Sequence, residues 1–129
     1  MPEHYLLDTN AAIARINGDQ MVEQLLQRAD EIFVPVIVLG ELYYGAENSA
    51  KMQENLGQIE HFRNSVVTLN CDADTAREFG RLAHEQRIKG QMIPENDLWI
   101  AALARQHNLK VITRDKHFDA VDDLELESW

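Results

Sequence analysis

At 129 residues, with 45% hydrophobic and 26% charged positions, residues 1–129 fit a single domain with a proper core. The formal net charge of −10 excludes a broad basic footprint for nucleic acid, and the single Cys71 excludes an intrachain disulfide. No apolar run is long enough for a membrane span; Ile32 to Gly40, the longest, contains Pro35. Met1-Pro2-Glu3-His4 lacks the basic start and long apolar stretch of a secretory signal, so a soluble cytoplasmic protein is expected.

Residues 4–7 read as a short buried strand, and residues 9–16 as a short helix ended by Asn17-Gly18. Asp19 can cap a second helix through about Arg28, with Met21, Val22, Leu25 and Leu26 on one face. Glu31 to Val34 is a second strand. Pro35 stands where a helix begins, and that helix runs through Tyr44 to Gly45. Ser49 can open another helix, with Met52, Leu56, Ile59 and Phe62 at helical spacing. Val66 to Leu69 is a third strand. Asp72 or Asp74 then caps a long helix that Gly90 ends, with Ala76, Phe79, Leu82 and Ala83 as its stripe. Pro94 and Asn96 introduce a helix from about Asp97 to His107, apolar nearly all round in its first half. Lys110 to Thr113 is a fourth strand, and Leu124 to Glu127 a short edge strand. Strands alternating with helices predict an α/β fold with a central, mainly parallel sheet of four to five strands.

Four acids stand at the edges of apolar runs: Asp8 after Tyr5-Leu6-Leu7, Glu41 after Val36 to Gly40, Asp97 before Leu98 to Leu103, and Asp115 two residues past Val111-Ile112-Thr113. Burying a charge is costly, so carboxylates bordering a core call for a partner. Asp8 and Asp115 follow strand ends, and right-handed crossovers bring parallel strand ends to one rim, where ligands bind in open α/β sheets. An acidic pocket of oxygen donors suits Mg²⁺ or Mn²⁺, one or two ions.

Each acid also has a plain reading. Asp8 can merely cap the first helix, Asp97 can be a first-turn acid behind Asn96, and Asp115 can be a turn residue. Glu41, mid-helix beside Leu42, has the poorest structural excuse. Asn10 and Thr113 are small polar groups that can orient a metal-bound water, or ordinary cap and turn residues. Glu95 is a possible fifth acid or an exposed first-turn charge, and Arg114 and Lys116 are possible phosphate contacts. The five histidines show no paired metal spacing and read as surface residues. Trp99 reads as core rather than as a base-stacking platform.

Taken together, Leu6-Leu7-Asp8-Thr9-Asn10, Val38 to Ala46, Ile93 to Ala102 and Thr113 to Phe118, with the ending Leu126-Glu127-Ser128-Trp129, resemble the PIN-domain nucleases. The likeness is greatest to the VapC-type toxins of toxin–antitoxin pairs. It covers the whole chain in order. The resemblance implies a three-layer PIN-like fold and a Mg²⁺- or Mn²⁺-dependent endoribonuclease with Asp8, Glu41, Asp97 and Asp115 as its acidic metal site. It also implies a VapB-like antitoxin as partner, a homodimer, and RNA as substrate, with transfer RNA among the family's targets. Asp8, Asp97 and Asp115 would hold metal, and Glu41 would bind metal or orient water. Two alternatives remain: a response-regulator-like phosphoacceptor domain using Asp72, and a non-catalytic PIN-fold binding module.

Overall fold

The computed structural model describes residues 3–129; Met1 and Pro2, the start of the segment read for a secretory signal, lie outside the described residues. In chain order the elements are β1 (His4–Leu7), α1 (Thr9–Ile16), α2 (Gln20–Leu26), β2 (Glu31–Pro35), α3 (Val36–Glu47), α4 (Met52–Asn64), β3 (Val67–Leu69), α5 (Ala73–Lys89), α6 (Glu95–His107), β4 (Lys110–Ile112), a 3-10 turn (Lys116–Ala120) and β5 (Leu126–Glu127). The strands form one sheet in the order β3-β2-β1-β4-β5, and every pairing is parallel. Among the described residues six helices flank this sheet, as the α/β reading expects.

The central strand explains its own sequence. β1 pairs with β2 on one side and β4 on the other, and Tyr5, Leu6 and Leu7 are all fully buried. A parallel strand covered on both faces needs an unbroken apolar run rather than an alternating one. Val111 and Ile112 of β4 and Val34 of β2 continue that core, and Leu98, Ile100, Ala101, Leu103 and Ala104 of α6 pack into it. The apolar first half of α6 is thus a buried helix surface, with Trp99 stacked on Phe79 of α5 at 4.0 Å between ring centroids. Among the described residues no helix is long and apolar enough to cross a membrane.

Several boundaries differ from the sequence reading. Ser49 does not open α4; its hydroxyl accepts from Lys51 N–H and Asn55 Nδ2, making a turn that delays the helix to Met52. Pro35 ends β2, paired with Leu69, and α3 starts one residue later and runs past Gly45 to Glu47. Asp72, not Asp74, caps α5, in a reciprocal box with Thr75. Met21 is exposed, and so is Ala76, whose place on the buried face of α5 is taken by Thr75. α6 begins at Glu95 with Pro94 as its N-cap residue, so Asn96 is not the cap.

Gly90 ends α5 with φ +68, in the left-handed region. Gly90→Ala there is expected to cost about 1–2 kcal/mol, the penalty of placing a Cβ in that conformation. Urea unfolding of the variant beside wild type measures it. An unchanged midpoint would show that the C-cap relaxes.

Candidate active site

The strand order reverses at β1. From β1 the chain steps outward through β2 to β3, then returns to the other side of β1 for β4 and β5. The rim between β1 and β4 is therefore the switch point, where open parallel sheets leave a crevice. Asp8 follows β1 there, and Thr113-Arg114-Asp115 follow β4. The Asp8 N–H donates to the Ile112 carbonyl at 3.1 Å, and the Thr113 N–H to that of Glu127 at 3.0 Å, fixing the rim.

Asp8 is the N-cap residue of α1 by position, yet its side chain makes no capping hydrogen bond. It is only 4% exposed, and its Oδ2 accepts instead from the Thr113 hydroxyl at 2.7 Å. Thr113 Oγ1 in turn accepts the Asp115 N–H at 2.9 Å, so one buried threonine links two acids. Burial pushes the Asp8 carboxyl above its ordinary pKa; the Thr113 hydroxyl and the Thr9 N–H oppose this, and the charges of Asp115 and Glu41 add to it.

Asp97 lies in the first turn of α6, where the helix dipole favours the ionised form. Burial outweighs that preference: its pKa is raised too, with Asp8 and Asp115 adding repulsion. Asp115 does cap the 3-10 turn, accepting from His117 N–H at 2.9 Å, so its plain reading holds beside the functional one. Glu41 reaches the same place from mid-α3. It accepts from the Thr9 hydroxyl, and from Asn96 Nδ2 at 2.9 Å. The four acids of the sequence reading thus meet on one rim.

His117, read from the sequence as a surface histidine, belongs to this cluster. Its Nδ1 lies 3.0 Å from Asp97 Oδ2 and 3.1 Å from Asp115 Oδ1. The hydrogen bond to Asp97 raises its pKa first, and the Asp115 charge adds to this. One ligand atom each from Asp97, Asp115 and His117 lie within 4.8 Å of one another, close enough to share one cation. Thr9 and Asn96 are the other polar neighbours the sequence reading did not assign; each adjoins an acid in sequence, the only signal available. Tyr44 is exposed on α3, apart from these bonds.

The supporting candidates divide. Thr113 is integral. Asn10 Oδ1 accepts the Arg114 N–H at 3.4 Å, a loop contact rather than an acid contact. Glu95 is exposed and stands outside the bonded cluster. Arg114 turns away from the acids: its guanidinium donates to the main-chain oxygen of Trp129 at 2.7 and 3.0 Å and lies over the indole, 4.4 Å from the ring centroid. Lys116 is exposed and lines, with Arg114 and Asp115, a polar groove of about 290 Å³. On the other side Thr9 and Glu41 line an apolar groove of about 260 Å³ with Ile13, Leu42 and Ile59. A larger cavity of about 520 Å³, between α1, α2 and α4, holds none of the four acids. Asp72, which the phosphoacceptor alternative needs free, is spent on capping α5.

The chain and its fold have counterparts among known proteins. The PIN domain family model matches residues 5–124. Ribonuclease VapC2 of Haemophilus influenzae is 34% identical over 128 residues, with 97% of each chain covered. The tRNA(fMet)-specific endonuclease VapC of Shigella flexneri is 30% identical over 128 residues, again covering 97% of each. Among solved structures, VapBC2 from Rickettsia felis, bound to a DNA fragment from its promoter, superposes with a TM-score of 0.90 at 30% identity, covering 98% of each chain.

Proposed function

The chain belongs to the PIN-domain family, among its VapC ribonucleases, and from that premise we propose that it is a Mg²⁺- or Mn²⁺-dependent endoribonuclease, the toxin of a toxin–antitoxin pair. The observation that carries this reading is the convergence of Asp8, Glu41, Asp97 and Asp115 at the sheet's switch point. Two of these carboxyls, Asp8 and Asp97, are held above their ordinary pKa by burial and by neighbouring carboxylates, an arrangement that a bound cation would relieve. The donor set is mostly carboxylate oxygen, which fits a hard divalent ion.

Asp8, Asp97 and Asp115 would hold the ion, and Thr113 keeps Asp8 and Asp115 in register. When bound, such an ion supplies charge relief at the phosphate and activates water for attack. Glu41 accepts a proton from, or orients, the attacking water. Lys116, exposed at the edge of the polar groove, meets the phosphate backbone; Arg114, stacked on Trp129, does not. The name of the Shigella relative supports transfer RNA as substrate class, and cleavage there would halt translation. The VapBC2 assembly supports a VapB-like antitoxin as partner.

The test is cleavage of a transfer-RNA panel by the purified chain. Discrete cuts that EDTA abolishes and added Mn²⁺ restores are expected. A folded chain that leaves every RNA intact at saturating Mn²⁺ defeats the proposal.

A further inference from the structure

We propose that Thr9 and Asn96 are positioning residues, a two-sided clamp that sets the Glu41 carboxylate for the reaction. The proposal rests on the nuclease reading above. Glu41 projects from the middle of α3 on a long side chain with several rotatable bonds, yet both its carboxylate oxygens are taken. Oε2 accepts from Thr9 Oγ1 at 2.5 Å and Oε1 from Asn96 Nδ2 at 2.9 Å. The donors come from α1 and α6, 32 and 55 residues away, and each directly follows or precedes an acid of the cluster, Asp8 or Asp97.

Neither donor is spent on its own helix. Pro94 is the N-cap residue of α6, so the Asn96 amide is released to reach α3. Thr9 lies at the first position of α1 and lines the same groove as Glu41, to which its hydroxyl donates. Both donors are neutral. They fix the direction of the carboxylate without cancelling its charge, and each oxygen keeps a lone pair for water. An arginine or lysine in either place would hold Glu41 as firmly but neutralise it. Misplacing a catalytic group by about 1 Å can cost on the order of 100-fold in rate, so the clamp acts on turnover rather than on RNA binding.

The variants are Thr9→Val, which keeps the shape and removes the hydroxyl, Thr9→Ser, which restores it, and Asn96→Ala. Thr9→Val and Asn96→Ala are expected to lower kcat about 10–100-fold, with KM within about 3-fold of wild type. Thr9→Ser recovers most of the loss. A rise in KM at unchanged kcat, or a Thr9→Ser as slow as Thr9→Val, overturns the proposal. If the wild-type chain cuts no RNA, the nuclease reading fails on its own. The clamp is then decided by the Asn96 side-chain amide signal in ¹⁵N NMR: it moves in Glu41→Ala if the bond exists, and an unmoved signal overturns it.

Discussion

Asp8→Asn is expected to abolish metal-dependent RNA cleavage, with a loss of at least about 100–1,000-fold, the size of removing one preorganised electrostatic group. The fold should not suffer. Asparagine has the same shape and still offers Thr113 an acceptor, and Asp8 caps nothing. Without metal the variant should in fact be more stable than wild type at neutral pH. The sign follows from the direction of the shift. The folded-state pKa of Asp8 is raised, mainly by burial, so the fold binds the proton more tightly than the unfolded chain does. The favourable contribution is complete below the unfolded value, about 3.9, and is lost as pH rises through the folded one. The gain of Asp8→Asn should therefore be present at pH 7.5 and vanish in acid. Saturating Mg²⁺ should raise the melting temperature of wild type and leave that of the variant nearly unmoved. Melts at two pH values with and without metal, beside a cleavage assay, read all of this. Wild-type activity in the variant ends the site assignment; an equal metal shift in both proteins shows that Asp8 does not hold the ion.

Phe118→Ala is expected to cost about 3–5 kcal/mol of stability, the range for emptying a fully buried aromatic site. Phe118 is 0% exposed and anchors the 3-10 turn that carries His117 and is capped by Asp115. The turn is five residues long and has no other fully buried side chain, so its position depends on this ring. The substitution should therefore weaken the centre beyond what destabilisation alone explains. At a temperature where the variant is still folded, its affinity for Mn²⁺ should fall, while Phe118→Leu, which refills most of the space, should lose less of both. A loss of stability with unchanged Mn²⁺ affinity would show that the cap bond of Asp115 holds the turn by itself.

The sequence revealed most where physical cost was highest. A carboxylate beside an apolar run demands an explanation, and Asp8, Glu41 and Asp97 were legible for that reason. The unbroken Tyr5-Leu6-Leu7 run likewise marked a central parallel strand. Features set by a single tertiary contact were not legible. Arg114 looked like a phosphate ligand by charge, but its partner, Trp129, is brought close only by the pairing of β4 with β5. His117 joined the cluster only because a 3-10 turn, too short to show a periodicity, swings it towards Asp97. The seven residues of α2 make about two turns, too few for spacing alone to fix the buried face, and Met21 lies outside it. Asn96 is of a residue type that favours an N-cap, but Pro94 holds that place and Asn96 lies inside the first turn.

The bond between Thr113 and Asp8 spans 105 residues of chain. It cannot form until β4 lies beside β1, on the flank opposite β2 and β3. Loop-closure entropy makes such a distant pairing late in folding. During synthesis, a ribosome-held chain that has emerged only as far as α6 carries three of the four acids and a sheet with β1 still open on one flank. Its cutting centre would be assembled only after almost all of the chain is free. That order of events would keep the proposed ribonuclease inert until Asp115 has emerged and β4 has paired with β1.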